Sequence, residues 1–333
     1  MSLEPALIEP TPPFDFGLTA GLLTYFRGRY GSDSFENEEL RHVTDVGGKI
    51  ALTTVRSIGS VDAPRLDMDV AGEGLEDGDV EAARSRTAWA LGAYDDVRPF
   101  YEIALEDPHL PPLVKAMRGL HITRASPYEA IIQAILGQQI SSHVARMLRS
   151  TLIETYGPRA MIDGRECFAF PSPEALANAG VDALRSIKFS QRKAEYVTDI
   201  SAMVASGRLD LDGLRGRSTE DVVESLTAIR GVGPWTAHWL MIRALGHTDG
   251  FPYGDIALQK AVGMLVKGGR AMSADEILEY SERWSPYRSY VTVYLFAAMR
   301  SGRLEELVGS RTRSAIDLRP GGPSVPINKK ERR

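Results

Sequence analysis

Apolar residues recur along this chain in two rhythms. Up to about residue 110 they tend to alternate. LRHVTDV and KIALTTVRSI, joined through Gly47-Gly48, read as the two arms of a β-hairpin, and RLDMDV supplies another strand of the same period. PFDFGLT carries a further strand signal. Two helical stretches interrupt the alternation, TAGLLTYFRGRYG and DVEAARSRTAWALGAY, the second started by Asp79. The pattern predicts a small α+β domain over residues 1–110.

From Leu113 onward the alternation almost vanishes and helical spacing takes over. Ser126 as cap, Pro127 at the first helical position and Glu129 placed to close a capping box mark one helix start. IIQAILGQQISSHVARMLRSTLIETYG then carries apolar residues at helical spacing, with a bend expected at Gly137. Further helices are predicted at SPEALANAG, SQRKAEYVTDISAMVASG, STEDVVESLTAIRG, WTAHWLMIRALG, IALQKAVGMLV, SADEILEYSERW and PYRSYVTVYLFAAMRSG. A mainly α domain with short connections over residues 111–308 follows. Residues 309–333, which include RPGGPSVPINKKERR, are Pro/Gly-rich and basic and read as a mobile tail. The chain shows no internal repeat.

At 333 residues, 43% of them hydrophobic and 25% charged, the chain can bury two ordinary cores. No apolar run approaches the ~18 residues of a membrane span. Glu4 and Glu9 do not fit a secretory signal, so an intracellular, cytoplasmic protein is expected. The single Cys167 rules out an internal disulfide, a four-cysteine zinc site and a four-cysteine iron–sulfur cluster. The net charge of −5 conceals an asymmetry: residues 1–110 hold nine basic and 21 acidic side chains, residues 111–333 hold 30 and 23. The downstream part, at +7, suits a polyanion, whereas the upstream part, at −12, must face away from one.

One short stretch breaks the helical region: Ile229-Arg230-Gly231-Val232-Gly233-Pro234-Trp235-Thr236-Ala237. The helix in STEDVVESLTAIRG ends at Gly231 and WTAHWLMIRALG begins within four residues. Two glycines allow positive φ and close approach of a partner, and Pro234 sits where a helix start leaves its missing N–H unneeded. The free amides of such a turn form an anion site that a phosphate fits. Gly-x-Gly between helices also serves any tight turn.

Beyond these glycines, LTAIRGVGPWTAHWLMIRALG, FPYGDIALQKA, PYEAIIQAILGQQIS and ERWSPYRSYVTVYLF together resemble the helix-hairpin-helix DNA glycosylase superfamily, and within it the 3-methyladenine DNA glycosylase II family. The resemblance spans roughly residues 113–303; the α+β domain matches the larger bacterial members in architecture alone. It implies a helix-hairpin-helix glycosylase domain acting as a monomer on double-stranded DNA that carries alkylated bases, at the nucleoid and apart from membranes. Gly231, Val232, Gly233, Pro234 and Thr236 would contact the DNA backbone. Asp255 would be the catalytic carboxylate, although a Gly-Asp pair before an apolar run is also an ordinary helix cap.

Trp235 occupies the place where the strand-cutting relatives carry a lysine nucleophile, so the resemblance implies base removal without strand cleavage. Trp235, Trp239, Tyr253 and Tyr287 would line a pocket for cationic methylated purines, since aromatic faces attract such rings; filling the helical core is the other use for such residues, and Trp284 reads as core. Tyr287 stands where the family has tryptophan. Gln139, with Gln138 beside it, would be the wedge that fills the gap left by an extruded base, in place of the family's leucine. Arg288 and Ser289 would bond phosphate or brace Asp255. The histidines 143, 238 and 247 make no metal triad by spacing, and no cofactor is implied beyond a monovalent cation at the carbonyls of Ile229 and Val232. Two other readings stay open: a glycosylase of this fold for oxidised or deaminated bases, and a damage sensor that has lost its chemistry.

Overall fold

The computed structural model describes residues 6–25 and 33–307; the expected tail lies outside them, as does the end of the first predicted helix. The first strands and helices are β1 (Ala6–Ile8), α1 (Phe16–Tyr25), β2 (Ser34–Glu36), β3 (Glu39–Val46), β4 (Lys49–Ser57), β5 (Leu66–Ala71) and α2 (Asp77–Ala90). The strands form one antiparallel sheet in the order β1-β5-β4-β3-β2. Gly47 and Gly48 adopt φ of +66° and +86° between the paired residues Val46 and Lys49, the tight hairpin their sequence announced. Ala83, Thr87, Ala88 and Ala90 form the buried side of α2. Ile8, Leu40, Val55, Leu66 and Met68 share a core with Phe14, Phe16 and Ala88.

Two expectations change here. PFDFGLT forms no strand: Pro12 and Pro13 have no N–H to donate to a ladder, and Asp15 Oδ1 accepts from the Leu18 N–H, so the segment starts α1 instead. Asp79 does not precede α2 but lies in its first turn, its carboxylate accepting from the Glu76 N–H at 2.9 Å. β1 and β2, three residues each, are too short for alternation to show.

Next come α3 (Arg98–Glu106) and α4 (Pro111–Ala116), which the hydrophobic pattern had not flagged. Phe100 of α3 stacks on Tyr290 at 5.2 Å and meets Tyr294 edge-on at 5.1 Å. Packing therefore runs continuously through residue 110, because α3 and α4 are part of the core built by the last helices. The rest comprises α5 (Pro127–Gly137), α6 (Ser142–Tyr156), β6 (Arg159–Ile162), β7 (Arg165–Phe168), α7 (Pro173–Ser186), α8 (Gln191–Ala205), α9 (Thr219–Thr227), α10 (Pro234–Leu240), α11 (Ile256–Lys267), α12 (Ala274–Ser281) and α13 (Arg288–Arg300). The hairpin β6–β7 in this helical region turns on Asp163-Gly164, with φ of +50° and +74°, a hairpin dipeptide passed over in the pattern.

Serine caps six of these helices, Ser126, Ser141, Ser172, Ser190, Ser218 and Ser273 each accepting from an amide in the first turn. Glu129 does not close a capping box. It is buried, and its carboxylate takes Arg149 at 2.7 Å and Gln133 at 2.7 Å.

Two apolar cores flank α10. One gathers Ile131, Ile135, Val197, Leu226 and Leu240; the other holds Phe251, Val262, Trp284, Tyr290 and Tyr294. The helix continues past Leu240 as a wider π turn over Met241–Leu245, so that Met241 enters the first core and Ile242 the second. The start of α10 is thereby fixed between the two halves of the helical region.

Candidate active site

The turn between α9 and α10 uses its glycines differently. Gly231 has φ of +91°, and a Cβ there would lie 2.5 Å from the Tyr196 ring, whose other neighbour is the Arg230 guanidinium at 5.2 Å. Gly233 has φ of −104°, which any residue adopts, and a Cβ would meet nothing within 4 Å. The expectation that both take positive φ holds for Gly231 alone. Gly233 instead leaves open space outside the turn, and its N–H meets no acceptor among the described residues. The next amides, of Trp235 and Thr236, begin α10 without an intrahelical partner. Val232 and Thr236 are buried, so they can offer an outside partner only their backbone. Ile229 and Val232 supply carbonyls of the kind a monovalent cation takes; the Ile229 oxygen already accepts from the Val232 N–H at 3.0 Å and retains a lone pair.

Asp255 precedes α11 and caps it. Its Oδ1 accepts from the amides of Ala257 at 2.8 Å and Leu258 at 3.1 Å, and its Oδ2 accepts from Trp235 Nε1–H at 2.9 Å. Three N–H donors all act on one carboxylate at the N-terminus of α11 and fix its direction. Asp255 is only partly buried, and Ile256 beside it is 68% exposed, so the start of α11 lies at the surface. Cap and candidate catalytic group are thus the same residue. Sequence reasoning missed the Trp235 bond: twenty residues separate the partners, and an indole donor leaves no periodic signature.

Behind Trp235 the predicted aromatic cluster is partly assembled. Trp239 meets Trp235 edge-on at 6.0 Å and lies against Phe296 at 5.6 Å, so it supports Trp235 from the core side. Tyr253 meets the His238 ring at 5.9 Å. The His238 Nδ1 accepts from the Phe251 N–H at 3.2 Å, and burial, helped by nearby Arg288, pulls this histidine down to about 4, so it is neutral near pH 7. His238 therefore braces the FPYGD segment, a role its sequence position did not reveal. Tyr287 precedes α13, half-buried, with Tyr290 as its ring neighbour at 6.3 Å. Trp284 is core, fully buried, its Nε1–H donating to Asp107.

Arg288 and Ser289 are used otherwise than expected. The Arg288 guanidinium forks onto Asp249, Nε to Oδ1 at 2.8 Å and Nη2 to Oδ2 at 2.5 Å. Ser289 is 0% exposed; its hydroxyl accepts from the Gly250 N–H and donates to the His247 carbonyl, both at 2.8 Å. Neither bonds Asp255, and Ser289 is out of reach of any phosphate. They rivet α13 to the loop leading into FPYGD, because Asp249 and the loop backbone claim their polar atoms first.

At the bend between α5 and α6, Gln139 is exposed and holds φ of +57°, unusual for a residue with a Cβ, while Gln138 turns inward and its Nε2 donates to the Gly231 carbonyl at 2.9 Å. The two glutamines, paired in the sequence, thus do different things. A cleft of about 910 Å³ lies elsewhere, between the sheet and the helical region, lined by residues such as Trp89, Arg124 and Arg215; neither Asp255 nor the predicted pocket aromatics border it. The arrangement suited to glycosidic chemistry is instead the partly exposed carboxylate at α11.

Comparison with known proteins agrees with this geometry. The family model HhH-GPD, described as HhH-GPD superfamily base excision DNA repair protein, matches residues 132–286, which contain the bend, the turn and Asp255. A DNA-3-methyladenine glycosylase of Bacillus subtilis is 34% identical over 206 residues, 62% of this chain and 68% of that protein. The chain belongs to the HhH-GPD superfamily of base excision DNA repair proteins. DNA-3-methyladenine glycosylase 2 of Escherichia coli is 28% identical over 169 residues, covering 51% of this chain and 56% of its own length. Among solved structures, a 3-methyladenine DNA-glycosylase from Archaeoglobus fulgidus superposes with a TM-score of 0.76 at 26% identity, covering 89% of this chain and 98% of that one. That match extends the likeness through most of the N-terminal sheet.

Proposed function

We propose that this HhH-GPD chain is a monofunctional DNA N-glycosylase that removes alkylated bases of the 3-methyladenine and 7-methylguanine type from double-stranded DNA. The observation that carries the reading is Asp255, a carboxylate held by three N–H donors at a solvent-facing helix start, next to the α9–α10 turn. Relatives bearing the name DNA-3-methyladenine glycosylase support the substrate class.

The free amides around Gly233 receive a backbone phosphate, and the open space beside that glycine admits it. The damaged nucleotide leaves the stack, and Gln139, exposed at the bend, fills its place. As the bond from C1′ to the base nitrogen lengthens, its electron pair departs with the base, whose positive charge is neutralised, and positive charge builds on the sugar. Asp255 stabilises that charge, orients the water whose oxygen bonds to C1′, and takes the proton which that water gives up, leaving a C1′ hydroxyl. A cationic purine is the easiest base to release, and the faces of Trp235 and Tyr253 attract its ring by roughly 0.5–2 kcal/mol each.

Where a strand-cutting enzyme needs an amine to attack the sugar, Trp235 offers an indole N–H already bound to Asp255. The product is therefore an intact abasic strand. A panel of duplexes, each with one 3-methyladenine, 7-methylguanine, 8-oxoguanine or uracil, tests the proposal. Free base should appear from the methylated purines ahead of the other two, with strand breaks only after alkali. Breaks without alkali, or faster release of 8-oxoguanine or uracil, would overturn it.

A further inference from the structure

The α5–α6 bend is held from two sides. Lys193 of α8 reaches the end of α5, its Nζ donating to the Leu136 carbonyl at 2.6 Å, and desolvation lowers the pKa of this half-buried amine. Two residues further on, Gln138 donates to the Gly231 carbonyl at 2.9 Å, in the very turn whose amides of Gly233, Trp235 and Thr236 lack acceptors among the described residues; its second contact, to Thr236 Oγ1, is a long 3.5 Å. Immediately beyond these anchors stands Gln139, at φ +57° and exposed. A left-handed non-glycine residue persists only where its surroundings impose it. Leu136 and Gln138 are the imposed points, one tied to α8 and one to the turn.

We infer that Lys193 and Gln138 are positioning residues that set Gln139 at a fixed distance from the phosphate-binding turn, so that seating the backbone phosphate and displacing the base occur in one register. This deepens the proposed function and rests on it. Burial of a lysine stem for a bond to a single carbonyl costs desolvation, and the gain is cation at a helix C-terminus plus a locked bend. The Gln138 amide is the one polar bridge among the described residues from this bend to the turn. Neither side chain touches the reacting sugar; both act through Gln139.

Lys193→Met and Gln138→Met keep the length of the stems and remove the donors; Lys193→Arg keeps a donor. Single-turnover base release and the fluorescence of 2-aminopurine beside the lesion are read on two duplexes, one with the lesion paired and one with it opposite an abasic position, where no partner base resists extrusion. Each Met variant should lose roughly fivefold to tenfold in release rate and fluorescence rise on the paired duplex, the worth of about one hydrogen bond. On the abasic-opposed duplex the loss should shrink to less than about twofold by the same reckoning, and Lys193→Arg should recover most of the rate on both. Equal losses on both duplexes, or none on either, would overturn the inference. Failure of the wild-type protein to release base from either duplex would instead overturn the proposed function, which keeps the two failures apart.

Discussion

The two glycines of the turn separate fold from function at single residues. Gly231→Ala must place a Cβ against the Tyr196 ring at a φ of +91°, and should destabilise the protein by about 1–3 kcal/mol, read as a lowered denaturation midpoint. Gly233→Ala faces open space at an ordinary φ, and its stability should stay within about 0.5 kcal/mol of wild type while affinity for duplex falls, because the methyl group stands where the phosphate approaches. Comparable denaturation midpoints for the two variants would contradict the assignment. At Asp255 the local motif was legible because a cap is a local device: Gly254-Asp255 before an apolar helix told its own story. The partners of Trp235, Arg288 and Ser289 were not, since each lies 20 to 42 residues away in sequence and only the fold brings it close. Trp235→Phe keeps an aromatic ring, though a smaller one, and removes the bond to Asp255 Oδ2. The turnover rate should fall about fivefold to tenfold with little change in affinity; an unaltered rate would mean that the indole N–H does not position the carboxylate.

Between elements, His238 links α10 to the segment that carries Asp255. Its pKa, lowered to about 4 from the usual 6.5, means that the unfolded chain binds more protons than the folded one between those values. Stability is therefore full above about pH 6.5 and falls as the pH drops toward 4. Buried His121 and partly buried His247 are shifted the same way and share the effect. His238→Asn retains an acceptor near the Nδ1 position and cannot titrate, so the loss of denaturation midpoint between pH 6.5 and 4.5 should be smaller in this variant; an unchanged slope would show that His238 is not held neutral. Serine caps made the helices of this region easy to locate from sequence. What the pattern hid were the π turn after Leu240 and the α3 and α4 helices, whose short amphipathic stretches make sense only against the α13 aromatics they cover.

Across the whole molecule, charge and packing pull in different directions. The charge asymmetry separates an acidic first third from a basic remainder, yet the core around Phe100, Tyr290 and Tyr294 joins them without a break. Binding through the basic part requires the −12 of residues 1–110 to face away from DNA, and removing salt should then strengthen duplex binding, with the logarithm of affinity rising as the logarithm of salt concentration falls. Whether the Asp255 carboxylate carries the chemistry is decided by single-turnover release of 3-methyladenine from duplex DNA by Asp255→Asn, with duplex affinity measured in parallel. Asparagine keeps the oxygen that caps α11 and removes the charge. Release should slow by at least about a thousandfold, with affinity within about threefold of wild type. Release within about tenfold of wild type would contradict this, since the chemistry would then not depend on the Asp255 carboxylate.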